Sequence, residues 1–431
     1  MKTLQQITYN DTSDQGSKMA STLVGSEILK IAGDIRAMVA QGKTICNLTV
    51  GDFSPKQFPI PELLRSAIHE ALDNGETNYP PSDGTPQLRK AIRDFYERRL
   101  GLDIPVESIV VTGGARPAIY AAYRSLVDNQ EAVVYPVPSW NNNHYVHLSG
   151  TVGVPIQCSA ENAFLPTRAD LSPVLSTARM LSLCSPLNPT GTAFTVDALR
   201  GICEAVLEEN DRRKANKERP LYLAYDQVYW MLTFGDVKHH HPLELYPELA
   251  DVTIYIDGIS KWFASTGLRV GWLMAPPHLA ARMSNVLGHV GAWAPRPEQI
   301  ATAKLLADDT AINAYHAEMI PQLEMRLRAL YDGVEAMKQK GMPVDSIEPM
   351  GAIYLTARFN LIGKKAGSKT IETNEDVRRY LLEEAGVAII PFQAFGTWEN
   401  DGWFRLSVGA VSMEEIASAL PRIEAAITKL S

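Results

Sequence analysis

Lys261 ends the stretch Gly258-Ile259-Ser260-Lys261, just past an apolar run. A lysine enclosed beside a serine can shed its proton and act as a nucleophile toward a carbonyl. The same residue could equally be a solvated strand end, so its neighbours decide. Arg269 lies in Ser265-Thr266-Gly267-Leu268-Arg269-Val270-Gly271. It is a cation whose fork of donors suits a phosphate, and Ser260 can add a hydroxyl. Thr112-Gly113-Gly114-Ala115 opens a helix, so its backbone N–H groups can cradle an anion; a glycine pair there also suits a plain tight turn. Asp226 and Tyr229 follow the apolar run that ends at Tyr225. A carboxylate at a buried strand end is costly unless it meets a cation. A protonated ring nitrogen would be such a partner. Asn188 sits in the turn Ser185-Pro186-Leu187-Asn188-Pro189-Thr190-Gly191, where it could be only a turn residue.

These groups must be carried to one place by regular elements. From about residue 86 the chain alternates between helical and strand patterns. Residues 86–101 read as a helix with Pro86 in its first turn and Gly101 closing it. Apolar runs before Gly113, through 131–137, 178–184, 221–226 and 251–259 read as strands, with helices after Gly114 and over 196–210. Such alternation predicts an α/β fold: a large domain with a mostly parallel central sheet flanked by helices. Ligands of these sheets bind beyond the carboxyl ends of the strands, where the polar clusters fall. After about residue 310 the pattern becomes that of a smaller α+β domain. The expected division is an N-terminal segment over 1–50 packing with the small domain, a large ligand-binding domain over 51–315, and a small domain over 316–431. Residues 1–20 read as irregular at first, 22–41 as a helix, 45–51 as a strand ending at Gly51, and 374–385 as a helix. His239-His240-His241 reads as a solvated loop rather than a metal site, and Glu208 to Arg219 as an exposed helix end and loop.

The motifs SPLNPTG, DQVY, SKWFASTGLRVGW and FRLSVG, in this order, resemble the class I/II aminotransferases of pyridoxal 5′-phosphate (PLP) fold type I, the group that includes aspartate aminotransferase. The likeness runs from about Gly51 to Arg405. It implies that Lys261 forms the Schiff base with PLP and shuttles protons, and that Asp226 pairs with the pyridinium nitrogen. It implies that Asn188 and Tyr229 hydrogen-bond the ring's 3-oxygen. Gly114, Ala115, Ser260 and Arg269 would hold the phosphate, with Arg116 beside them, and Trp140 would stack on the ring. Tyr79 would reach the phosphate of a partner subunit, so a homodimer is implied. Arg405 would grip the substrate α-carboxylate, with Gly51 and Asn188 nearby. Gln227 replaces the family's usual acid after the aspartate, and Gly351-Ala352-Ile353-Tyr354-Leu355 departs from the commoner aromatic run, which bears on the substrate pocket.

The resemblance implies an aminotransferase exchanging an amino group between an L-amino acid and a 2-oxo acid. Arg116, at the first turn under the phosphate, points to a dicarboxylate such as glutamate or aspartate as one partner; Arg296 is a second candidate reader of a distal carboxylate. An aromatic amino acid is the alternative, as is a PLP lyase or synthase on the same fold.

The chain has 431 residues, 45% apolar and 21% charged, with a formal net charge of −8. That composition suits a folded globular protein, and the charge argues against general nucleic-acid or anionic-membrane binding. No stretch has the length of apolar residues a membrane span needs. The N-terminus lacks the apolar centre of a secretory signal. A cytoplasmic location is the default expectation. Cys46, Cys158, Cys184 and Cys203 form no CxxC pair and read as separate thiols, and no metal framework is expected.

Overall fold

The computed structural model describes residues 16–25 and 27–431. The polar opening expected to be irregular lies, through residue 15, outside the described residues. Seven strands form the central sheet: β1 (Ile109–Thr112), β2 (Ala132–Val137), β3 (Val152–Gln157), β4 (Ala178–Cys184), β5 (Tyr222–Asp226), β6 (Thr253–Gly258) and β7 (Gly271–Met274). Their order across the sheet is β1-β7-β6-β5-β4-β2-β3. The pairings from β6 to β3 are parallel, whereas β7 runs antiparallel to both β6 and β1. β1 therefore points the same way as the parallel strands. The carboxyl ends of β1, β2, β4, β5 and β6 share one edge with the amino end of β7.

Side chains of this sheet alternate between two apolar layers, as the strand period of two requires. Val110, Ile254, Ile256 and Leu273 join one core with the helices Ala115–Leu126 and Pro277–Val290. Ile109, Val111, Tyr255 and Trp272 face the other core with the helices Pro86–Leu100 and Val196–Ala215. With both faces covered, β1, β6 and β7 are buried along their whole length, and β1 and β6 read as largely apolar runs for that reason. β3 and β7 were not read from the sequence. β3 is an edge strand broken by Gly153 and Pro155, and β7 is four residues long inside a motif dominated by glycine and arginine.

A second, antiparallel sheet joins Val344–Ile347, Tyr354–Phe359, Ile390–Pro391 and Trp403–Ser407. The strand expected over 45–51 is regular only at Cys46–Asn47, which pairs with Val387–Ala388. Beyond it, Leu48 O accepts from Ser407 N at 2.8 Å and Val50 O from Ser407 Oγ at 2.6 Å, so the segment is tied to the second sheet. The helix expected over 22–41 spans Glu27–Ala40. The one expected over 374–385 is Asn374–Tyr380, continued by a wider turn at Leu381–Ala385.

Two surface expectations are corrected. The histidine run is not solvated: His241 is 2% exposed and bonds the Tyr255 hydroxyl at 3.0 Å. His239 packs between Tyr225 and Trp230, and burial pushes it down to about 3. Within 208–219, Glu209 and Arg213 are buried as an ion pair, and Arg213 also donates to Leu175 O at 2.9 Å. Local polarity suggested solvent at both places; long-range partners pull these side chains inward.

Candidate active site

A cavity of about 600 Å³ opens at the carboxyl edge of the central sheet, between that sheet and the strand Trp403–Ser407. Each lining group arrives by a stated route. Gly114, with φ of 91°, precedes the helix Ala115–Leu126. A Cβ at that position would lie 2.4 Å from Arg269 Nη2, so only glycine lets the guanidinium settle against the turn. Arg269 donates to Gly113 O at 2.9 Å and Thr266 O at 2.8 Å. The helix N-terminus, the Arg269 cation and the Ser260 hydroxyl, all lining the cavity, form a cradle suited to a phosphate.

Asp226 ends β5, and Lys261 follows β6 by three residues. The Asp226 carboxylate accepts from Val228 N at 3.0 Å. Burial raises it to about 6, against the backbone bond and the charge of Lys261. No cation forms an ion pair with it among the described residues, so a protonated ring nitrogen from outside would satisfy it. Lys261 Nζ donates to Gly51 O at 2.7 Å and stands 5.7 Å from the Tyr229 ring centre. Burial lowers its amine to about 8; Asp52 opposes that shift, while Arg405, Arg116 and Arg269 add to it.

Arg405 is 1% exposed and has no acid partner among the described residues. Its Nη1 donates to Asn188 Oδ1 at 3.0 Å and its Nη2 to Thr49 O at 2.7 Å, while its buried Nε bonds nothing. The rings of Tyr354 and Phe395 flank it at 4.6 and 4.8 Å. An enclosed cation with an unused donor awaits an anion, and a carboxylate matches its fork. The cavity thus offers an anion cradle, a carboxylate for a cationic ring nitrogen, a poised amine and a carboxylate clamp. That donor set fits PLP and an amino-acid substrate.

The structure gathers Gly51, Ala115, Arg116, Trp140, Asn188, Asp226, Tyr229, Ser260, Lys261, Arg269 and Arg405 around this one cavity, with Gly114 at its cradle. Arg116 is exposed at the rim, its guanidinium 5.1 Å over the Trp140 ring, and forms no ion pair among the described residues. Tyr79 and Arg296 are not in the lining. Tyr79 is 82% exposed and meets Trp293 edge-on at 5.7 Å, and Arg296 is paired with Glu76. Among the lining groups that escaped the sequence reading are Asp52 and Tyr354. Asp52 accepts from Thr266 Oγ1 at 2.5 Å; its place beside Gly51 was the available signal. Tyr354 bonds the Tyr229 hydroxyl at 2.7 Å; the unusual run around it had marked the pocket without marking the residue.

The family model for aminotransferase class I and II matches residues 43–423. An aspartate aminotransferase of Rhizobium meliloti is 31% identical over 428 residues, covering 98% of this chain and 99% of that protein. A probable aspartate/prephenate aminotransferase of Rhizobium leguminosarum bv. phaseoli is 30% identical over 405 residues, covering 93% and 95%. The crystal structure of the Rhizobium meliloti aspartate aminotransferase aligns with a TM-score of 0.88 at 30% identity, over 97% of this chain and 100% of that one.

Proposed function

The chain belongs to the class I and II aminotransferase family and is a PLP-dependent enzyme; from that premise we propose that Lys261 is its catalytic lysine and that a dicarboxylate is one of its substrates. The observation that carries the reading is the buried Lys261 amine sharing one cavity with Asp226 and Arg405, two charged groups that form no ion pair among the described residues.

Bound PLP supplies the electron sink for the pair released when the Cα proton leaves. The residues supply position and charge. Gly114, Ala115, Ser260 and Arg269 hold the phosphate. Asp226, anionic at neutral pH, keeps a proton on the ring nitrogen by pairing with it. Tyr229 and the Asn188 amide would hold the 3-oxygen and Trp140 the ring, since all three line the cavity. Arg405 takes the α-carboxylate in its fork and so fixes the direction of the Cα–H bond. Lys261, its amine lowered to about 8, would be the base that accepts the Cα proton at its Nζ. Arg116, unpaired at the rim, reads a second carboxylate on the substrate.

The working unit is a homodimer in which Tyr79, exposed and outside this cavity, serves the site of the second copy. Support for this is the 82% exposure of a large aromatic side chain backed by Trp293. The test of the function is direct. Purified PLP-loaded protein is given glutamate, aspartate or phenylalanine, each with a 2-oxo acid acceptor, and the new 2-oxo acid is measured. Failure of both dicarboxylates as donors and of their oxo acids as acceptors overturns the substrate reading.

A further inference from the structure

Tyr354 stands between the two halves of this site. Its strand, Tyr354–Phe359, pairs with Trp403–Ser407 so that Thr356 lies opposite Arg405. Tyr354 is therefore diagonal to Arg405 on one face, within reach of a long side chain. The guanidinium carbon sits 4.6 Å from its ring centre, and its hydroxyl meets the Tyr229 hydroxyl at 2.7 Å. Tyr354 is 1% exposed and Tyr229 is 3% exposed. The backbone holds this placement from two sides. A Cβ at Gly191 would come within 2.1 Å of Tyr354 O, so the glycine of Asn188-Pro189-Thr190-Gly191 seats the strand. A Cβ at Gly51 would come within 3.0 Å of Tyr354 Oη, so that glycine leaves the hydroxyl its room.

We propose that Tyr354 is a positioning residue that links the carboxylate clamp, Arg405, to the cofactor-bonding tyrosine, Tyr229. The inference rests on the roles assigned above to Arg405 and Tyr229. A cation over the Tyr354 ring withdraws electron density and makes its hydroxyl the stronger donor of the pair. Burial raises both phenols; Arg405 lowers both, more prominently Tyr354, over whose ring it sits, and Tyr229 stays raised further. Tyr354 thus donates to Tyr229 Oη and leaves the Tyr229 proton directed at the 3-oxygen of the ring. When a substrate carboxylate neutralises Arg405, the pull on Tyr354 weakens, and so does the bond that Tyr229 offers the cofactor. Occupation of the carboxylate clamp is in this way reported to the ring oxygen through Tyr354 and Tyr229, beside the separate path from Arg405 Nη1 to Asn188 Oδ1 at 3.0 Å. The other charged and titratable groups that act on the pair are Cys184 and Asp52, with Lys261 beside Tyr229; none of them bridges Arg405 to Tyr229.

The experiment uses PLP-loaded protein and maleate, a dicarboxylate with no amino group. The visible absorption of the bound cofactor is followed against pH with and without maleate, in wild type, Tyr354→Phe, Tyr229→Phe and Arg405→Ala. Expected for wild type is a displacement of the absorption midpoint on maleate binding. Tyr354→Phe should cut that displacement by about half or more, because the intermediate hydrogen bond is gone. Its dissociation constant for maleate should stay within about threefold of wild type, because Arg405 keeps its fork. Tyr229→Phe, which also loses its own bond to the ring oxygen, should lose the displacement too; Tyr354→Leu, which removes only the hydroxyl and ring of Tyr354, serves if Tyr354→Phe does not fold. A full wild-type displacement in the folded Tyr354→Phe protein, or in Tyr354→Leu where that one is used, overturns the link. So does a maleate affinity as poor as that of Arg405→Ala, which would make Tyr354 part of the clamp itself. Arg405→Ala that still binds maleate as wild type does refutes the underlying role of Arg405 instead.

Discussion

Lys261 Nζ donates to the carbonyl of Gly51 at 2.7 Å, across 210 positions of sequence. The bond orients the amine into the cavity without neutralising it, since a peptide carbonyl carries no net charge. Lys261→Ala should abolish turnover, and borohydride treatment of the PLP-loaded variant should leave no cofactor bound to protein. PLP can still bind there without the covalent link. A reducible covalent bond retained in the variant refutes the assignment of Lys261.

The amine also sets a pH dependence. Its value in the folded protein is lowered to about 8, first by burial. The neutral, nucleophilic form therefore dominates above that pH, and its share falls about tenfold per unit below it. The rate at which PLP-free protein captures PLP, followed by stopped-flow absorbance, should climb up to about pH 8 and then level. A rate that kept climbing tenfold per unit toward pH 10 would show an ordinary solvated lysine.

Asp226 is the buried carboxylate proposed to pair with the ring nitrogen. Asp226→Ala should leave the fold largely intact and slow Cα proton removal by about 100- to 1000-fold, a few kcal/mol of lost charge stabilisation. Single-turnover rates with Cα-deuterated and ordinary glutamate measure this step. A near-normal rate in the variant rules out the pairing.

Arg116 tests the substrate class. In Arg116→Ala, kcat/KM for glutamate should fall by about tenfold or more, while that for phenylalanine stays within about threefold. An equal fall for both, or none for glutamate, removes Arg116 as the reader of a distal carboxylate. With Arg296 already paired to Glu76, selectivity would then have to come from the aromatic lining near Trp140.

The homodimer is tested by sedimentation equilibrium of the PLP-loaded protein alongside an activity assay. A dimer is expected, with Tyr79→Phe weakening PLP binding by a few-fold through one lost hydrogen bond. A monomer with full activity contradicts both statements.

Much of the fold and of the site was legible in residue order. Apolar runs long enough to fill a covered sheet announced β1, β2, β4, β5 and β6, because burial on both faces leaves no polar alternation. Pro86 and Gly101 marked a helix whose ends are chemically determined, and the helix spans Pro86–Leu100. Lys261, Asp226, Asn188 and Arg269 stood out because each follows or precedes a strand end that the alternation places on one edge.

Other features depended on contacts that residue order does not display. β7 is antiparallel and four residues long, and so short a run is a strand only because β1 and β6 pair with it. His239 and Glu209 are polar by composition and buried by contact. Tyr354 illustrates the limit most clearly. The sequence by itself carried the motifs by which it resembles the class I and II aminotransferases, and local pattern placed Lys261 and the polar groups around it at strand ends. Only the tertiary structure decided that Tyr354 would lie diagonal to Arg405 and touch Tyr229, because strand register and the closing of one sheet over another are set by summed packing of the whole core, not by any residue's neighbours in the chain.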